Sequence, residues 1–341
     1  MTPRGTDWSL ALLVAAGVAS GLATWFAGAP GDAWVFGAHA VAGASLAVLV
    51  VVKLRRVLPR LAPPSAAALG LVVLVLGSGL AWSTFGSASL AGYTLLVWHG
   101  ALGAVLAAVV LAHALARAKR PRRRDLASRR QFLVATAVGA GALAAWQVQR
   151  PLQRALGLAG AERRFTGSYE TGPDFPVTSW VADDPAPASG PVAVAGRVRR
   201  ELSLAPAELD RGHALTATLD CTGGFASRQD WHGVRLAALL DEAGVEPGAR
   251  HVRVISRTGY RWSFGIEHAR GLLLTTRVGG EPLSHGHGAP CRLVAPGRRG
   301  FQWVKWVERI EVHDDPDPGA LASTVLSSFS AAGRGRRTGR R

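Results

Sequence analysis

Two sets of residues stand out for the chemistry their types allow. Cys221 closes the strand-like run Ala214-Leu215-Thr216-Ala217-Thr218-Leu219-Asp220 and is followed at once by Thr222-Gly223-Gly224. A tight turn there leaves the sulfur at a sheet edge. At that place a thiolate can bind a soft metal, pair with the second cysteine, Cys291, or pack as a small apolar group. The second set is His39, His99 and His113, each inside a long apolar run. Ionisable side chains in such runs are costly and therefore mark function by default.

The elements that position the histidines are membrane helices. A chain of 341 residues that is 48% hydrophobic, with mean hydropathy +0.18 and net charge +16, is too apolar for an ordinary soluble protein of that charge. Two regimes are mixed in it. Runs near 8–28, 34–54, 66–84 and 94–116, and a weaker Ala/Gly-rich run near 131–148, approach the roughly 20 residues that cross a hydrocarbon core. Lys53, Arg55, Arg56 and Arg60 follow the second run, and eight Lys or Arg fall within 117–130. The positive-inside rule puts these loops and the N-terminus in the cytoplasm, and everything after about residue 150 outside it. Of the 39 basic residues only Lys53, Lys119 and Lys305 are lysine, a bias that a GC-rich bacterial genome produces. Because the charge sits in membrane-flanking loops and in the last residues, Arg334 to Arg341, the expected partner is the lipid bilayer and not nucleic acid.

Ser128-Arg129-Arg130-Gln131-Phe132-Leu133 precedes the fifth run and resembles a twin-arginine export signal. Ala159-Gly160-Ala161 could pass for a cleavage site, but it lies far beyond the apolar run, so an uncleaved anchor is expected. His39 and His99 each sit about five residues past the outer end of their helices, at one depth of about 8 Å at 1.5 Å per residue. Two facing imidazoles are what a low-spin b-type haem needs, so haem b held by His39 and His99 is expected. The layout resembles four-helix di-haem cytochromes b, except that Lys53 stands where an inner partner for His113 would be.

The rest of the chain alternates short strands with short helices after a Pro-rich lead. Strands are expected at 192–198, 214–220, 251–256, 259–264, 272–278, 291–295 and 303–312. Leu236, Leu239, Leu240 and Ala243 at i, i+3, i+4, i+7 predict an amphipathic helix over 234–243. The expected organisation is an all-α helical bundle of five transmembrane helices followed by an α+β domain. Its parts are a four-helix region at 1–118, a basic loop and fifth helix at 119–150, a linker at 151–190, the α+β domain at 191–314 and a disordered basic tail at 315–341.

The motif order in that domain is specific. Leu219-Asp220-Cys221-Thr222-Gly223-Gly224 precedes Trp231-His232-Gly233-Val234-Arg235-Leu236. Then come Gly280-Glu281-Pro282-Leu283, His287-Gly288-Ala289-Pro290-Cys291-Arg292-Leu293-Val294, Pro296-Gly297, Gly300 and Val304-Lys305-Trp306. Over about 190–313 this resembles the molybdopterin domain of the sulfite oxidase family. The resemblance implies a molybdenum–molybdopterin cofactor whose metal is bound by the Cys221 thiolate beside two pterin dithiolene sulfurs. Thr222, His287, Arg292 and Lys305 fall at positions that surround the pterin and its phosphate. Two positions depart: Thr276 stands where a substrate-side Tyr is expected, and Gln302 where an Arg is expected, which weakens the case for sulfite. Arg228, Arg257 and Arg277 are candidates for an anion-binding mouth.

The function these features imply is a membrane-anchored extracytoplasmic oxidoreductase performing two-electron oxo transfer on a small-molecule substrate. Similarity to periplasmic methionine-sulfoxide reductases tilts the direction toward S-oxide or N-oxide reduction. Electrons would be exchanged with the membrane through the haem, a quinone or another redox partner. The alternatives are a haem-only electron carrier with a non-catalytic outer domain, and a molybdoenzyme whose membrane half is only an anchor.

Overall fold

In the computed structural model the described residues are 2–60, 63–117, 129–172, 176–178 and 190–326. The chain divides into two compact units. Residues 1–170 with Thr222–Phe225 form the first, and 171–221 with the rest of the chain from Ala226 form the second.

Five helices make the first unit: α1 (Pro3–Thr24), α2 (Ala33–Val57), α3 (Pro63–Phe85), α4 (Leu95–Arg117) and α5 (Arg129–Ala155). All five are long and apolar enough to cross a membrane. Large apolar side chains point outward along them, among them Leu12, Leu74, Leu80 and Leu111, a pattern that water disfavours and lipid accepts. Thr2 caps α1 by accepting from the Gly5 N–H, with Pro3 in the first turn, where its missing N–H costs nothing. Gly37 lets the Trp146 ring of α5 close on α2, since a Cβ would stand 2.8 Å from it.

The polar residues at the helix ends are matched. Lys53 pairs with Asp7 at 2.8 Å, and Arg56 donates to the buried Thr6 hydroxyl. Gln131 of the twin-arginine-like hexapeptide, which opens α5, is buried and donates to Ser9; Ser128 lies outside the described residues. Ala159-Gly160-Ala161 forms a 3-10 turn in which Gly160 and Ala161 are buried, Gly160 against the backbone of Ser83 and Thr84. Arg163 ties that turn to α3 and α5 through the Ser83 carbonyl and Gln153.

In the second unit, β1 (Val192–Gly196), β2 (Leu202–Leu204), β5 (His251–Ser256), β6 (Arg261–Gly265) and β10 (Val307–His313) form one sheet in the order β2-β1-β10-β5-β6. Only β1 and β10 are parallel in it. The other sheet pairs β3 (His213–Asp220) with β4 (Phe225–Arg235), β4 with β7 (Leu273–Val278), and β7 with both β8 (Glu281–Pro282) and β9 (Arg292–Val294). In the same unit α6 (Leu236–Ala243) buries Leu236, Leu239, Leu240 and Ala243, as its periodicity predicts, and stops at the left-handed Gly244.

Three sequence expectations are corrected. The longest strand, β4, is not among the expected ones. Its polar residues Ser227, Arg228, Gln229, Asp230 and His232 hide the strand pattern, although Arg228 and Asp230 face out between buried Ser227, Gln229 and Trp231. The strand expected over 303–312 starts only at Val307, because Trp306 adopts φ +51 and breaks the extended run. The tail expected to be disordered from 315 is ordered through Leu326. Asp317 pairs with Arg253 and Arg261, and α7 (Ala320–Leu326) buries Ser323 against the Arg261 backbone. Residues 327–341 lie outside the described set.

Leu240 is fully buried in α6, so Leu240→Ala is expected to cost about 2–5 kcal/mol. Leu321→Ala, at an exposed position of α7, should stay within about 0.5 kcal/mol. Denaturant unfolding of the full chain, followed by tryptophan fluorescence, checks the difference.

Candidate functional site

Cys221 is the first residue beyond β3, and its position is set by a buried ion pair. Asp220 turns into the core, where a lone carboxylate would be expensive. Arg299 answers it at 2.5 Å, with side chains 4% and 3% exposed. The same guanidinium donates to the Cys221 carbonyl at 3.2 Å, and the two backbones meet in a parallel bridge. Gly300 then passes so close that a Cβ would sit 3.1 Å from Cys221 Cα. Gln302, in the place where an Arg was expected, is buried and accepts from the Arg299 N–H. Cys221 itself is half-exposed and neither cysteine is in a disulfide, so the disulfide alternative does not form.

Three basic residues gather about this thiol. Arg292, at 2% exposure, lies over the rings of Trp231 and Trp303, donates through Nη1 to the His287 carbonyl, and has no partner for Nε among the described residues. Burial pulls its pKa down to about 10, partly offset by attraction to Cys221. A guanidinium held below its free value gains by meeting an anion. Lys305 donates to the carbonyls of Thr178 and Gly286, both at 2.6 Å, and lies 5.2 Å from the Trp306 ring centre. The Thr178 hydroxyl is 3.9 Å from the Cys221 sulfur, so one residue touches both Lys305 and the thiol. At His287, Ser284 Oγ accepts the backbone N–H and lies 2.8 Å from Nδ1, so the ring is held at that edge and Nε2 is its outer nitrogen.

These groups approach because Gly288, at φ +112, has no side chain: a Cβ would meet Arg292 and Lys305 at 3.1 Å. Trp306, left-handed beside Lys305, is fixed by its indole N–H on the His285 carbonyl. A soft thiol at the rim, a buried cation with an unmet donor, and a cradle that a methyl group would fill suit an anionic, metal-bearing pterin.

Thr222 is half-exposed in the turn after Cys221 and is grouped with the first unit. Thr276 lies at a bulge of β7 with its hydroxyl buried and unmet among the described residues. Arg277 is engaged by the Gly280 carbonyl and Asp210, and Arg228 is exposed on β4. The Asp220–Arg299 pair was missed by sequence reasoning. Its signal was an Asp that must point inward one residue before the thiol, and therefore needs a cation from elsewhere.

Family comparison decides the assignment of this region, since the description "oxidoreductase molybdopterin binding domain" matches residues 181–321. That stretch is a sulfite oxidase-like molybdopterin-binding domain. It starts earlier and ends later than the 191–314 expected from the motifs. The chain is 30% identical over 148 residues to a mitochondrial sulfite oxidase of Drosophila melanogaster, covering 35% of this chain and 26% of that one. To the catalytic subunit of a protein-methionine-sulfoxide reductase from Gluconobacter oxydans it is 29% identical over 147 residues, covering 37% and 47%. A nitrate reductase of Mycosarcoma maydis is 46% identical over 57 residues, 17% and 6%. Among solved structures, the sulfane dehydrogenase of Paracoccus pantotrophus matches at TM-score 0.36 and 29% identity, covering 37% and 39%. The chain spans less than half the length of these curated relatives.

In the helical unit, His39 of α2 and His99 of α4 come together with ring centres 5.8 Å apart and planes at 90°. His113 is exposed, and Lys53 is engaged by Asp7.

Burial pushes the Cys291 thiol of the molybdopterin domain up to about 12. Iodoacetamide near neutral pH should therefore label Cys221 in cofactor-free chain and leave Cys291 untouched until the protein unfolds, as mass spectrometry would read. Asp220→Asn leaves Arg299 buried without its counter-charge and should cost about 3–5 kcal/mol, measured as a lowered denaturation midpoint.

Proposed function

We propose that the chain is a membrane-anchored, extracytoplasmic molybdopterin-dependent oxidoreductase that exchanges electrons with the membrane through one b-type haem. The observation that carries the reading is the convergence of Cys221, Arg292, Lys305 and His287 in a domain that matches the molybdopterin-binding family. Cys221 would hold the metal, and Arg292, Lys305 and the His287 ring would hold the pterin and its phosphate. When bound, that group supplies two-electron oxygen-atom transfer.

The chain's own residues do the positioning. The Asp220–Arg299 pair holds the peptide that carries the thiol, so the sulfur is presented without loss of order. Trp231 and Trp303 keep water from the Arg292 guanidinium, which strengthens its pull on an anion. Thr276 stands where a phenol was expected, and that departure argues against sulfite. A sulfoxide of the kind named for the Gluconobacter relative is the favoured substrate, and reduction is the favoured direction.

The apolar helices, the basic loops and the twin-arginine-like hexapeptide support multi-pass anchoring with residues after about 150 outside the cytoplasm. One haem is supported by the His39–His99 pair. A second is not, because His113 is exposed and Lys53 pairs with Asp7.

Metal analysis and an optical spectrum of one detergent-purified sample test the reading. Molybdenum together with a b-type absorbance is expected, with sulfoxide reduction lost in Cys221→Ser. Arg292→Met should weaken cofactor retention by about 10–100-fold. Haem without molybdenum would establish the carrier alternative, and molybdenum without haem the simple anchor.

A further inference from the structure

The helical unit contains a repeat that its hydropathy hides. Ser20-Gly21-Leu22-Ala23 on α1 returns as Ser78-Gly79-Leu80-Ala81 on α3. His39, Gly43 and Leu46 on α2 return as His99, Gly103 and Leu106 on α4, with both leucines buried. Helices α1 and α2 are therefore one hairpin, and α3 with α4 a second copy of it.

Each copy treats its histidine in the same way. His39 Nδ1 lies 3.0 Å from the Gly17 carbonyl and 3.1 Å from Ser20 Oγ. His99 Nδ1 lies 2.9 Å from the Val75 carbonyl and 3.4 Å from Ser78 Oγ. Both carbonyls belong to the residue three before the serine. Each serine hydroxyl already donates to its own helix, Ser20 to the Ala16 carbonyl at 2.6 Å and Ser78 to the Val75 carbonyl at 2.9 Å. Its oxygen is then left to accept, so the proton of each ring resides on Nδ1. The lone pair in both rings is on Nε2. Satisfying a ring inside an apolar bundle needs one bond of this kind. Doing it twice at Nδ1, on rings 5.8 Å apart, leaves the two remaining nitrogens with no hydrogen-bond partner among the described residues and available to one metal.

The glycines complete the arrangement. A Cβ at Gly21 would stand 3.2 Å from His39 Cε1, and one at Gly79 would stand 2.9 Å from His99 Cε1. Each ring therefore sets its Nδ1–Cε1 edge in the gap left by a glycine, and its orientation is held by that gap and by the Nδ1 bonds.

We propose that Ser20 with Gly21 and Ser78 with Gly79 are duplicated positioning clamps that hold His39 and His99 as Nε2 ligands with perpendicular planes to a single haem iron. The clamps rest on the haem reading given above. Donation from Nδ1–H makes an imidazole a stronger donor at Nε2 and favours the ferric state, so the serines lower the potential. Perpendicular ligand planes act equally on two iron d orbitals and keep them nearly degenerate. A ferric haem so held gives a low-spin electron paramagnetic resonance signal with one large g value instead of a rhombic one.

Full-length protein purified in detergent tests this through haem content, redox titration and low-temperature resonance spectra. The wild type should show the large-g signal. Ser20→Ala and Ser78→Ala should keep haem, because the carbonyl acceptors remain, and shift the midpoint potential upward, additively in the double variant. Ser78→Thr should restore the wild-type potential, and Gly79→Ala should turn the His99 ring and make the signal more rhombic. Wild-type protein without haem overturns the haem reading and the clamps with it. Haem present, with potential and signal unmoved in the serine and glycine variants, overturns the clamps alone.

Discussion

The ion pair between Asp220 and Arg299 is the constraint around which the molybdopterin domain is arranged. A carboxylate at the end of a strand, 4% exposed, demands a cation at one place and in one orientation. Arg299 meets that demand from a segment 79 residues away in sequence. Once it is in place, Gly300 must pass against Cys221, and the chain beyond it delivers Trp303 and then Lys305. The thiol is thus located through its backbone, and the sulfur keeps its freedom to bind. Replacing the pair by apolar residues could leave the core as stable, yet it would release the bond to the Cys221 carbonyl.

Under the proposed function the two units would solve one problem with different materials. A ligand atom would have to be presented with its orientation decided beforehand, which is what pre-organisation of a metal site requires. In the domain, a buried charge pair and a glycine contact fix the cysteine. Among the helices, where buried charge is costlier, serine hydroxyls and helix carbonyls fix the histidines instead. In both places a glycine sets the distance of approach.

Much of this could be read from the residues. The helix through Leu236, Leu239, Leu240 and Ala243 follows its period, and the five apolar runs became the five long helices. Cys221, Arg292, Lys305 and His287 were found by motif order, and they do come together. Strand β4 was hidden because its polar residues alternate across a sheet that is covered on one face only in part. Trp306 ends the extended run before β10 by a backbone angle that no side-chain pattern announces. Arg299 was invisible for a different reason. In a chain with 39 basic residues one arginine carries no signal until its partner is known to be buried. The Ser-Gly repeat was present in the sequence, but its meaning depends on which ring nitrogen each serine reaches, a three-dimensional fact.

The central claim is that Cys221 supplies a sulfur to molybdenum from a backbone held by Arg299. Molybdenum-edge X-ray absorption on the purified protein measures the sulfur neighbours of the metal directly. One sulfur more than the pterin's own pair is expected in the wild type, and that additional sulfur should vanish in Cys221→Ser. A sulfur shell that is the same in both proteins would contradict Cys221 as the ligand.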